Sequence, residues 1–259
     1  MEKEPLNVIK VGGAVVEDEQ ALAAFLTQFA SVTGPKVLVH GGGRSATAMA
    51  ARLGIETKML NGRRVTDEAM LEVVTMVYGG LVNKRIVAQM QAEGMNAVGL
   101  TGADMDCIRS DKRPSEPVDY GYAGDVRRVN GQALHTLIDA GFVPVVAPLT
   151  HDGCGQLLNT NADTIAAEVA KGLVSFYDVT LTFCFEKKGV LANPSDDDSV
   201  IPFIDRPKYE ALVQDGTLSG GMLPKIHNAF AALDAGVTRV VITSASNLHY
   251  GTIIMKNEE

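Results

Sequence analysis

The stretch Leu6-Asn7-Val8-Ile9-Lys10-Val11-Gly12-Gly13-Ala14-Val15-Val16 decides the fold. Its first half is a short β-branched apolar run without polar alternation, the pattern of a parallel strand covered on both faces. Lys10 is out of place in such a strand, because a buried ammonium is costly unless an anion pairs with it. Gly12 and Gly13 then let the backbone turn sharply and approach a ligand closely. Two readings follow. One is an anion site at the strand's C-terminal end with Lys10 as its point charge. The other is a lysine snorkelling from a strand end before an ordinary turn. The return of the same pattern further along the chain favours the first.

Asp18 to Val32 reads as an amphipathic helix with Leu22, Phe25, Leu26 and Phe29 on one face, ended by Gly34-Pro35. Lys36 to His40 is a second buried strand, and it runs straight into Gly41-Gly42-Gly43 and a helix from Ser45 to Gly54. Strand, glycine loop and helix N-terminus together form an oxyanion-binding arrangement, whereas a merely tight turn usually needs one glycine. Asn61-Gly62 signals a hairpin. Arg63 and Arg64 follow it, and one could clamp a carboxylate bidentately, although arginine pairs are commonly solvated surface. Thr66 is expected to cap a long helix with Asp67 and Glu68 in its first turn. Its stripe of Met70, Val73, Val74, Val77, Tyr78 and Leu81 reads as core or a subunit interface.

Asn96–Leu100 and Phe142–Ala147 read as further strands. Between them lie a polar excursion from Cys107 to Val129 and a helix from Gln132 to Ala140. His151-Asp152-Gly153-Cys154 offers poor geometry for a nucleophile pair. Asn161 is a natural N-cap and Asp163 sits in the first turn, so capping explains both without a ligand; Asn159 is left unexplained. A β run from Val174 to Phe185 turns out through Glu186-Lys187-Lys188-Gly189-Val190-Leu191, and Asp196-Asp197-Asp198 reads as a solvated tip. After a helix from Pro207 to Gln214, Ser219-Gly220-Gly221-Met222-Leu223-Pro224-Lys225 opens another. Pro224 suits its first position. Lys225 is at the wrong end of the dipole for a cation, a cost that a bound phosphate would offset. Arg239–Thr243 and Thr252–Met255 are late strands.

Alternating β and α elements predict an α/β protein, a three-layer αβα sandwich on one mostly parallel central sheet. Ligands of such sheets bind outside the strands' carboxyl ends, where every glycine loop above lies. The 259 residues suffice for one such domain, 1–259, in two halves. A composition 46% hydrophobic and 21% charged fits a soluble enzyme, and a net charge of −8 argues against a nucleic-acid binder. Three cysteines without CxxC spacing give no metal site and fit a reducing compartment. Met1 to Pro5 does not read as a signal peptide and no apolar run reaches membrane-spanning length, so a cytoplasmic protein without membrane partners is expected.

Lysines on glycine loops from both halves suggest two anionic ligands meeting between them, as phosphoryl transfer requires. GxxxxGK[ST], HRD, DFG and GxGxxG patterns do not occur. The stretches Ile9–Gly13, His40–Gly43, Asn61–Asp67, Leu158–Asp163 and Gly220–Lys225 resemble the amino-acid kinase superfamily from about residue 6 to 255. Their order and spacing are most similar to its N-acetylglutamate kinases of arginine biosynthesis.

The resemblance implies ATP-dependent phosphorylation of the side-chain carboxylate of an N-acyl-L-glutamate, with Mg²⁺ carried on the nucleotide phosphates. Lys10 and Lys225 would stabilise the transferring group, Asp163 would hold both lysines, and Gly13 and Gly42 would donate backbone N–H groups. Gly42, Gly43, Arg64 and Asn159 would bind the acylated amino acid in an N-terminal lobe of about 1–172. A C-terminal lobe of about 173–259 would bind ATP through Glu186, Lys187, Gly189, Leu191, Thr217, Ser219, Gly221 and Met222.

Glu186-Lys187-Lys188-Gly189 departs from the family's usual Asp-Val-x-Gly, and the segment from Thr243 to Gly251 is short, so a trimmed last crossover is expected. Only five residues precede Leu6, whereas arginine-inhibited members carry an extra helix there. A homodimer through helix 66–91 without arginine feedback is therefore the expectation. The alternatives are a glutamate, aspartate or carbamate kinase of the superfamily and a catalytically silent sensor of the same fold. Acetyl and succinyl acceptors would differ at the pocket's far wall, near Met59–Val65, where Arg63 could face a second carboxylate.

Overall fold

The computed structural model describes residues 3–218 and 222–256. The opening stretch forms β1 (Glu4–Val11) and, unexpected from the sequence, the short helix α1 (Gly13–Glu17). Then follow α2 (Glu19–Ser31), β2 (Lys36–His40), α3 (Gly43–Arg52) and the hairpin β3 (Met59–Leu60) and β4 (Arg63–Arg64). The long helix comprises α4 (Glu68–Val74), a π-helical stretch (Thr75–Val82) and α5 (Asn83–Ala92). Beyond it come β5 (Ala97–Leu100), β6 (Ile108–Lys112), β7 (Gly124–Val129), α6 (Gly131–Asp139), β8 (Val143–Val146), β9 (Leu149–His151) and β10 (Leu157–Asn159). The chain continues through α7 (Ala162–Leu173), β11 (Tyr177–Phe185), β12 (Phe203–Ile204), α8 (Arg206–Gln214), α9 (Met222–Asp234), β13 (Arg239–Ser244) and β14 (Asn247–Ile254).

Eight strands make one sheet in the order β12-β14-β13-β11-β1-β2-β8-β5, parallel at every pairing except β13–β14. Both faces are covered, which is why its strands read as unbroken apolar runs. On β1, Leu6 and Val8 join a core with α6, α7 and α9, while Ile9 and Val11 join a second core with α2 to α5. The expected three-layer arrangement follows from this alternation. The polar excursion supplies β6 and β7, which join β9 and β10 in a smaller sheet of order β10-β9-β6-β7.

Two local expectations are corrected. Asp67, not Thr66, caps the long helix: its carboxylate accepts from Met70 N at 2.8 Å, and Thr66 is buried beneath. The last strand begins at Asn247 rather than Thr252, because β13 and β14 are joined by a two-residue turn and pair antiparallel.

Candidate active site

Lys10 lies on the side of β1 that carries Leu6 and Val8, so its side chain emerges toward α7. There its ammonium meets Asp163 Oδ1 at 2.7 Å. Lys10 is 8% exposed, and the neighbouring carboxylate is what makes a charge tolerable there. Asp163 Oδ1 accepts no aligned hydrogen bond among the described residues, so the contact is held by charge. Asn161 caps α7, accepting from Asp163 N and Thr164 N, as its sequence position implied.

Phe185, on the same side of β11, supplies an aromatic floor. Lys225 Nζ sits 3.6 Å and Lys10 Nζ 5.7 Å from its ring centroid, which brings the two lysines onto one ring. Burial lowers the pKa of Lys225, with Asp163 opposing and Lys10 adding to the fall. Two ammonium groups with one carboxylate leave a net positive site beside the sheet's carboxyl ends.

The glycine loops after β1 and β2 pack backbone to backbone. Gly41 N donates to Val11 O at 3.0 Å, and a Cβ on Gly41 would fall 3.0 Å from Gly13 N. Gly42, the N-cap of α3, runs equally close to Tyr78: a Cβ there would lie 3.0 Å from the ring. This close approach is what the run of three glycines permits.

Two cavities flank these loops, and Gly43 belongs to both walls. One, of about 200 Å³, is lined by Gly42, Arg64, Tyr78, Arg113, Asn159 and Asn161, with Arg63 at its rim. Arg64 is fixed there by donating Nη2 to Gly43 O (2.8 Å) and Thr47 Oγ1 (2.9 Å). Asn159 Nδ2 donates to Thr66 Oγ1 at 2.9 Å, which directs its amide oxygen elsewhere. The other cavity, of about 510 Å³, is lined by Gly13, Arg44, Glu186, Lys187, Gly189, Met222 and Lys225, among others. Arg44 and Glu186 face each other across it at 3.9 Å. A size of a few hundred cubic ångströms suits a small ligand.

The amino acid kinase family model matches residues 5–244. The chain belongs to the amino acid kinase family. It is 62% identical over 256 residues to an acetylglutamate kinase of Bacteroides thetaiotaomicron and 61% identical over 256 residues to one of Phocaeicola vulgatus. Each alignment spans 98% of this chain and 100% of the relative. A crystal structure from Streptococcus mutans UA159 superposes with a TM-score of 0.78 at 27% identity, covering 96% of this chain and 98% of that one.

Of the residues singled out from sequence, Lys10, Gly13, Gly42, Gly43, Arg64, Asn159, Asp163 and Lys225 converge around the two glycine loops. Glu186, Lys187, Gly189 and Met222 lie on the larger cavity. Leu191 and Thr217 stand off its described wall: Leu191 bridges to Val200, and Thr217 N donates to Asp215 Oδ1. Ser219 and Gly221 lie outside the described residues. His151 is engaged by Asp106 (Nε2 to Oδ1, 2.9 Å) rather than by Cys154. Sequence reasoning missed Phe185, Arg44, Arg113 and the contact of Tyr78 with Gly42. A cation in the first turn of α3, on the pattern already noted for Lys225, is the signal that marks Arg44.

Proposed function

We propose that this chain transfers the γ-phosphoryl group of ATP to the side-chain carboxylate of N-acetyl-L-glutamate, releasing ADP and an acyl phosphate in arginine biosynthesis. The observation that carries the reading is the Lys10–Asp163–Lys225 group on the Phe185 ring, beside glycine loops whose two flanks hold cavities for two ligands. Full-length similarity to relatives named acetylglutamate kinase supports the acceptor.

The acceptor carboxylate is ionised at neutral pH and attacks as it stands, so no general base is needed. Lys10 and Lys225 stabilise the charge spreading over the phosphoryl oxygens, Asp163 holds both ammonium groups, and the Gly13 and Gly42 N–H groups donate to the same oxygens. Gly43, Arg64 and Asn159 hold the acylated amino acid, with Arg64 on a carboxylate. In this reading residues 1–172 bind the acceptor and 173–259 the nucleotide, with Glu186, Lys187, Gly189, Leu191, Thr217, Ser219, Gly221 and Met222 on the ATP side. Mg²⁺ bound through the nucleotide phosphates would neutralise part of their charge.

The exposed Met76 and Leu81 support a homodimer through helix 66–91. The free cysteines suit the reducing cytoplasm. A second acceptor, an acyl group ending in its own carboxylate such as succinyl, is favoured by Arg63 on the smaller cavity, Arg113 there being engaged by Asp125.

Hydroxylamine trapping with Mg-ATP, run in parallel on N-acetylglutamate, N-succinylglutamate, glutamate and aspartate, tests the proposal. Hydroxamate from an N-acylglutamate but not from free glutamate is expected. Hydroxamate only from a free amino acid, or ATP binding without turnover of any acceptor, overturns it.

A further inference from the structure

His40 ends β2 on the face opposite Lys10, fully buried, and the phosphoryl transfer above makes no use of it. Its Nδ1 lies 2.9 Å from Gly41 O and its Nε2 3.1 Å from Asn83 Nδ2. A carbonyl only accepts, so Nδ1 carries the proton. Asn83 Nδ2 also donates to Val145 O at 2.9 Å, which fixes that end of the amide as its NH₂ and makes His40 Nε2 the acceptor. The imidazole is therefore neutral, in agreement with burial pulling its pKa down to about 4. Asn83 reaches this place because Gly99 has no side chain: a Cβ there would fall 1.8 Å from Asn83 Oδ1.

The Gly41 carbonyl and the Gly42 N–H belong to one planar trans peptide, so they point in opposite directions. The peptide joins two glycines and has no Cβ on either side to restrain its rotation. Among the described residues, Gly42 N–H has no acceptor of its own. We propose that His40 is a positioning residue: its Nδ1–H pins the Gly41 carbonyl, which keeps the Gly42 N–H aimed at the transferring phosphoryl group, and Asn83 holds the imidazole in the tautomer this requires. The hydrogen bond on the carbonyl also polarises the amide and strengthens its N–H as a donor. The inference rests on the reading of Gly42 as a phosphoryl donor.

Two substitutions in the full chain separate positioning from packing. In His40→Asn the amide nitrogen stands near the imidazole Nδ1 position, keeping the bond to Gly41 O and giving up Asn83. In His40→Gln the longer side chain reaches Asn83 and gives up Gly41 O. The measured quantities are kcat, both KM values and Tm. H40Q is expected to lose about 100-fold in kcat, the scale of one oxyanion donor, with both KM values within about threefold. H40N is expected to recover most of that loss although its Tm is no higher. Equal losses in the two variants, or wild-type kcat in H40Q, overturn the proposal. Imidazole ¹⁵N shifts of the unsubstituted protein test it without any variant: an Nδ1-protonated neutral ring is expected, and an Nε2-protonated ring overturns it. Wild-type turnover of an N-acylglutamate is measured alongside. Its absence would sink the proposed function, while the tautomer result would still stand for or against the pinned peptide.

Discussion

Lys10→Met removes the ammonium that lies 2.7 Å from Asp163 and keeps an unbranched apolar stem in the strand. If that charge faces the phosphoryl oxygens in the transition state, losing it costs about 3–4 kcal/mol, or about 10²–10³ in kcat. The folding cost is a separate and smaller quantity. Asp163 loses its partner, but its side chain is 35% exposed and Lys225 remains beside the same Phe185 ring, so solvent and the second ammonium take up much of the unpaired charge. A loss of about 1 kcal/mol corresponds to about 2–4 °C in Tm for a chain of this size. Hydroxamate formation at saturating Mg-ATP and N-acetylglutamate gives kcat, and calorimetry gives Tm. A variant within about fivefold of wild-type kcat would refute the charge-stabilisation role, because fivefold corresponds to only about 1 kcal/mol. A large loss accompanied by a fall beyond about 10 °C would assign the effect to folding instead.

Arg64→Lys keeps the charge but loses the planar fork that holds Gly43 O and Thr47 Oγ1. KM for the acceptor should rise about 10–100-fold with KM for ATP unchanged, and an equal rise in both would count against an acceptor contact. Lys36→Met strips a buried ammonium from the carbonyls of Phe29, Ala30 and Val32 at the end of α2, and should cost about 2–3 kcal/mol in urea unfolding without touching kcat. Leu81→Glu or Met76→Glu places a charge on a face 56% or 54% exposed in the single chain and central to the proposed dimer interface, so light scattering should show a lower molar mass than for the unsubstituted chain, and an equal mass would count against that interface. His40 sits at about 4 when folded, against an unperturbed 6.5, so between those values the unfolded chain binds more protons and stability falls as pH drops. The drop from pH 7 to 5 in urea unfolding should be about 2 kcal/mol smaller in His40→Asn than in the unsubstituted chain; identical drops would reject a buried neutral ring.

Two lysines at the ends of apolar strands show how far a local reading reaches. Lys10 and Lys36 both sit in apolar strands and both are buried, yet one faces a carboxylate and the other the carbonyls of a helix end. What separates them lies on the chain itself. Lys36 follows a helix C-terminus within a few residues, where free carbonyls are waiting. Lys10 precedes a glycine turn, where free N–H groups collect. Strand and loop identities were legible because each is settled by neighbours in sequence. Phe185, Tyr78 and Arg113 were not, because their roles depend on which strands lie side by side, and β11 pairs with β1 across more than half the chain. The capping of the long helix was misread for a related reason: Thr66 and Asp67 are both competent caps, and the burial of Thr66 against Asn159 decides between them.

The π-helical stretch, Thr75–Val82, explains how one helix serves the glycine loop twice. Residues five apart on an α-helix stand about 140° from one another, on different faces. A π turn bonds i to i+5 and brings such residues into line. Tyr78 and Asn83 are five apart: Tyr78 covers Gly42, and Asn83 holds His40, the residue that fixes the Gly41 peptide. The same turn leaves Met76 and Leu81, also five apart, together on the exposed side. A regular α-helix through this segment would have to give up one contact on each face. The irregular turn is therefore what lets a single helix grip the glycine loop with one side and leave Met76 and Leu81 together as an apolar surface, the one proposed above for a second copy, on the other.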